Sequence, residues 1–118
     1  MVFKFKNGLE VLQTAQKENL YTQLLAQLKK DFSRANVRIA IDLDMDPKTL
    51  NALVQEKLYV LILEKFQEYL NLLYIVDISE REIKKLAVLD AVDASSQVGF
   101  LILKREWQKV WFKHKYNS

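Results

Sequence analysis

The stretch DPKTLNALVQEKLYVLILEKFQEYLNLLY, residues 46–74, decides the fold class. Asp46 offers a side-chain acceptor to the orphan amides of a helix start, and Pro47 at the first helical position forfeits no hydrogen bond. Behind them Leu50, Leu53, Val54, Leu58, Leu61, Ile62, Phe66, Tyr69, Leu70 and Leu73 recur at the three-to-four spacing of one helix face. The spacing predicts a helix from Pro47 to about Tyr74. Leu58–Leu63 is apolar on every side, which predicts that this helix is the buried centre of its domain.

On the N-terminal side the period changes. Val37, Ile39, Ile41 and Leu43 alternate with Arg38, Ala40, Asp42 and Asp44, so 37–45 reads as an extended segment with one buried face. Its pairing partner would be Val2–Lys6 or a neighbouring subunit. Further upstream, Leu20, Leu24, Leu25, Leu28 and Phe32 mark a helix that begins near Leu9 or Lys17 and ends near Phe32, with Asn36 as a left-handed stop. Residues 1–8, closing at Asn7-Gly8, read as an extended arm.

On the C-terminal side Ile75-Val76-Asp77-Ile78 interrupts the helical pattern. Ser79-Glu80-Arg81-Glu82 fits a capping box and opens a short helix to about Leu89. Asp93-Ala94-Ser95-Ser96 supplies caps for a last helix, roughly Gln97 to Lys113. Phe100, Leu103, Trp107, Val110 and Trp111 lie on one of its faces. Residues 114–118 read as a frayed tail.

These elements fit a single domain over residues 1–118, half of them hydrophobic and 28% charged. Two glycines and one proline are too few turn residues for an all-β fold. The expected fold is mainly α: a small bundle of three or four helices around the central helix, with one short extended segment.

Composition also removes whole classes of chemistry. With no cysteine there is no disulfide, thiolate metal site or cysteine nucleophile. With one histidine, His114, a site of several imidazole ligands is excluded within one chain. Two glycines cannot build a phosphate-cradling loop. No apolar run approaches the length of a membrane span. The resulting expectation is a soluble, cytoplasmic protein with no cofactor and no enzymatic activity.

Two acidic patterns carry little. Asp42, Asp44 and Asp46 have the spacing that opens a calcium loop, but Pro47 and Leu53 stand where that loop needs Gly and Glu. The pairs Glu64/Glu68, Glu80/Glu82 and Asp90/Asp93 are accounted for by helix surfaces and caps.

The C-terminal run is richer. Net charge is +3 overall, and residues 104–118 interleave Lys104, Arg105, Lys109, Lys113 and Lys115 with Trp107, Trp111, Phe112 and Tyr116. Such a cluster of aromatics marks an interface. The leading expectation is a helical protein-interaction module forming a homodimer, or binding another protein, through these four aromatics, with the last helix or Val37–Leu43 at the two-fold. The alternative is a nucleic-acid-binding accessory protein that uses the five cations on phosphate. A small enzyme with a carboxylate site is a third, and it requires a deep pocket lined by an acid of raised pKa.

Residues Tyr69–Glu80, YLNLLYIVDISE, followed by Phe100–Val110, FLILKREWQKV, resemble a group of short bacterial helical proteins of uncharacterised function. The resemblance implies a mostly helical fold and a bacterial cytoplasmic origin. It carries no catalytic motif and no functional residue.

Overall fold

Six helices make up the described residues, 3–86 and 88–117, of the computed structural model: α1 Gly8–Lys17, α2 Tyr21–Arg34, α3 Pro47–Glu64, α4 Phe66–Val76, α5 Glu80–Leu86 and α6 Ala91–Tyr116. No strand occurs among these residues. The mainly α expectation holds, with more helices than the periodicity suggested.

The helix starts follow local chemistry. Asn7, Asp46 and Asp90 each accept from the backbone amide three residues on, at 3.0, 3.2 and 2.8 Å. Ser79 Oγ does the same for Glu82 at 3.3 Å, as the capping pattern implied. Asp90 rather than Asp93–Ser96 opens the last helix, so Ser95 lies inside it and donates to the Val92 carbonyl.

Three helix ends share one device. Asn19, Asn36 and Asp77 take the left-handed conformation, with φ of 60°, 60° and 74°. Short polar side chains tolerate it best after glycine. In each case the next residue, Leu20, Val37 or Ile78, donates its amide back to a carbonyl five residues earlier. That closure also turns an apolar side chain back onto the helix it leaves. It splits the expected first helix at Asn19, and it stops α2 where Asn36 was expected to stop it.

The long predicted helix also breaks, at Lys65, whose backbone (φ −141°, ψ 60°) separates α3 from α4. The last helix is longer than expected at both ends. It runs through Lys113, His114 and Tyr116, so the expected frayed tail is helical as far as Tyr116, and Ser118 lies outside the described residues. The expected arm over residues 1–8 is shorter than expected: Gly8 already belongs to α1, the chain bends at Lys6 and Asn7, and only Lys4 and Phe5 lie without turn or bend. Phe3 rests edge-on against Trp111 at 6.4 Å, and Met1 and Val2 lie outside the described residues.

Residues 37–45 connect α2 to α3 without strand pairing. Val37 and Ile41 are buried and Ile39 is half-buried, as the alternation required, but a turn at Asp42–Met45 leaves Leu43 exposed. Tyr21 Oη donates to the Met45 carbonyl at 2.6 Å and ties the segment to α2. Burial, reinforced by the charge of Asp46, pushes the Tyr21 hydroxyl up to about 12.

The centre of the bundle is α6, which touches all five other helices. Its buried stripe runs Val98, Gly99, Ile102, Leu103, Glu106, Trp107, Val110. At Gly99, where α6 faces α3, a Cβ would stand 3.4 Å from Gln55 Cγ and 3.6 Å from Leu58 Cδ1, ordinary packing distances. The expected central role of residues 47–74 is therefore corrected. Leu50, Val54, Leu58 and Leu61 are buried, while Tyr59, Val60 and Leu63 on the opposite side of α3 face outward.

Candidate functional site

Glu106 occupies a core position of α6, three residues after Leu103 and four before Val110. Asp31 does the same on α2, between Leu28 and Phe32. Where the two helices meet, both carboxyl groups are fully enclosed and both converge on Lys109. Lys109 Nζ lies 2.8 Å from Asp31 Oδ2 and 3.1 Å from Glu106 Oε1. Gln27 Nε2 adds a donor to Asp31 Oδ2 at 3.2 Å, and Arg34 stands 3.6 Å from Oδ1.

Asp31 Oδ1 and both Glu106 oxygens are buried and receive no well-aligned donor from the described residues. Two ionised carboxylates enclosed side by side are costly in an interior even with Lys109 between them and the more exposed Arg34 at the edge. A single proton resolves this. Burial, together with the hydrogen bond to Asp31 and its negative charge, pushes Glu106 up to about 9 against the opposing pull of Lys109. Burial acts on Asp31 in the same direction, but hydrogen bonds from Glu106, Lys109 and Gln27 outweigh it and hold Asp31 below the usual carboxylate range. At neutral pH the cluster is thus a neutral acid donating to a carboxylate, with an ammonium alongside.

Just beyond this cluster α2 and the last turns of α6 leave a groove of about 510 Å³. Leu20, Ala26 and Val110 give it apolar walls. Lys30 and Lys113 flank it, with His114 and Asn117 at its far end. Among the described residues no carboxylate lines it. Gln27 belongs both to the groove and to the buried cluster.

Of the four residues expected to form an interface, Trp107 is not on the surface, while Phe3 packs on both Trp111 and Phe112. Trp107 is enclosed in the chain's own core, 6.0 Å from the half-buried Trp111, so it offers no face to a partner. Phe112 and Tyr116 stack at 6.2 Å and stay 44% and 80% exposed. The five candidate cations are also dispersed. Arg105 pairs with Asp77 at 3.0 Å, Lys109 belongs to the buried cluster, and Lys104 sits over the Phe100 ring at 6.0 Å. Only Lys113 lines the groove, and Lys115 is exposed.

The acid of raised pKa that an enzymatic site would need is present as Glu106, but Glu106 is absent from the lining of the groove beside it. Asp42 accepts from the Asp44 amide and Asp46 caps α3. Among the described residues no group of three or more acidic or histidine side chains could hold a metal ion. No helix among these residues is long and apolar enough to cross a membrane.

Apart from the singly exposed Tyr74, Val88 and Val92, one run of apolar side chains faces outward together. Tyr59, Val60, Leu63 and Phe66, on the outer side of α3 and the start of α4, are between 36% and 58% exposed. Glu56, Glu64, Lys65 and Gln67 are exposed around them, so the rim carries both signs of charge. Compared with protein-family models, curated proteins and solved structures, the chain finds no match.

Proposed function

We propose that this protein is a non-enzymatic helical interaction module of the cytoplasm that pairs with a second copy of itself through the outer side of α3 and the start of α4. The single supporting observation is the exposed apolar run Tyr59, Val60, Leu63 and Phe66, the first three of which lie in the stretch Leu58–Leu63 that is apolar on every side. A stretch of that kind favours cover on both sides, and the monomer covers one. A two-fold pairing needs a self-complementary patch. Here Glu64 and Lys65 let opposite charges meet across the axis. The exposed end of α6 would instead bring Lys113 and Lys115 against their own copies, which opposes pairing there. Absence of cysteine supports a reducing compartment.

The test is solution mass by light scattering across a concentration series. The wild-type chain should approach twice 13.9 kDa. Leu63→Glu should remain a monomer with unchanged helicity. A wild type that stays monomeric at high concentration, or a dimer that tolerates the glutamate, overturns the proposal.

A further inference from the structure

The groove between α2 and the end of α6 combines three features that together describe a ligand. Its volume of about 510 Å³ falls in the roughly 300–1,000 Å³ range of small-molecule sites. Its walls at Leu20, Ala26 and Val110 are apolar, so they favour a hydrocarbon body. Its charged lining is cationic, and neither Lys30 nor Lys113 makes an ion pair with any described residue. The other lysine of this region, Lys109, is already neutralised by Asp31.

We propose that this groove is a binding site for a small amphipathic anion, an apolar chain or ring bearing one carboxylate. The hydrocarbon would lie along Val110 and Ala26. Its head group would sit between Lys30 and Lys113, with Gln27 and His114 within the same lining to complete its hydrogen bonds. A cation would meet both lysines without compensation, and a neutral chain would leave both charges without a partner. Nothing about the site depends on self-association, because the groove and the outer side of α3 share no residue.

Calorimetric titration of the full chain with decanoate tests this, with decanol as the neutral counterpart of the same length. Decanoate should bind with one site per chain and at least tenfold more tightly than decanol. The variant Lys30→Glu/Lys113→Glu should lose about tenfold in decanoate affinity, as two partly exposed charge contacts imply, and should keep the helicity of the wild type. Leu63→Glu should bind as the wild type does, which separates this groove from the apolar patch on α3. Equal affinities for decanoate and decanol overturn the proposal. So does undiminished binding by the double variant, loss of binding in Leu63→Glu, or no binding at millimolar decanoate.

Discussion

Lys109 Nζ donates to Asp31 Oδ2 at 2.8 Å, and the two residues stand 78 positions apart in the chain. The contact fastens the last helix to the second through a carboxylate that is fully enclosed. Removing the ammonium alone leaves that carboxylate buried without its counter-charge. Lys109→Met should therefore cost about 3–5 kcal/mol of unfolding free energy, read from urea denaturation. Adding Asp31→Asn should restore a large part of the loss. If the double variant is as unstable as the single one, the ion pair is not the source.

The stability of the protein should fall as the solution becomes alkaline. The Glu106 side chain has an ordinary value of 4.5 and is raised to about 9 in the fold. Between those limits the unfolded chain has lost this proton and the folded chain retains it, so each added pH unit favours unfolding by up to about 1.4 kcal/mol. Asp31 acts oppositely: its contribution is present above the ordinary carboxylate range and is lost as pH falls through its depressed value. Urea midpoints should thus decline from pH 5 to pH 9. Glu106→Gln keeps a donor toward Asp31 but cannot titrate there, and its midpoints should be nearly flat over the same span.

The two glycines should respond differently to alanine. A Cβ on Gly8 would lie 2.6 Å from Asn51 Oδ1 and 2.9 Å from Leu103 Cδ1, and Leu103 is fully enclosed. Gly8→Ala should cost about 1–3 kcal/mol through forced repacking. On Gly99 the nearest atoms would be 3.4 and 3.6 Å away. Gly99→Ala should be neutral or stabilising by up to about 1 kcal/mol, since glycine is the poorer helix former. Thermal melting of both variants checks the contrast.

The aromatic residues of α6 should separate into two groups. Trp107→Ala empties a fully buried site and should cost about 3–5 kcal/mol. Tyr116→Ala, at a site 80% exposed, should change stability by less than about 0.5 kcal/mol. Equal effects would mean that the end of α6 is not arranged as described.

Where local chemistry decides, the sequence was legible. Asp46-Pro47 opens α3, Ser79 opens α5, and Asn36 ends the α2 turn in the left-handed conformation. The break at Lys65 was not legible, because the apolar spacing of Leu58 and Leu61 continues in phase to Tyr69, Leu72 and Val76. Periodicity reports a face and not a bend. Asp31 and Glu106 escaped notice for another reason. Each is a single acid among basic neighbours and reads as part of a wet surface, although each stands three residues after a core leucine, Leu28 or Leu103. That spacing was the available signal. Whether Tyr59, Val60 and Leu63 face inward or outward depends on how many helices the bundle can place around α3, which no local pattern encodes.

The arrangement of α6 has a consequence for biosynthesis. Its 26 residues extend for about 39 Å at 1.5 Å per residue, the full 39 Å length of the molecule. It is also the last of the six helices to leave the ribosome. Until it emerges, each of the other five helices lacks the contacts it makes with α6, and Asp31 lacks Lys109. The nascent chain therefore carries five amphipathic helices that wait, sticky and unfinished, for the one that joins them. This bundle can close only once α6 has followed the other five helices out, and the interval before that is when its exposed apolar faces need protection most.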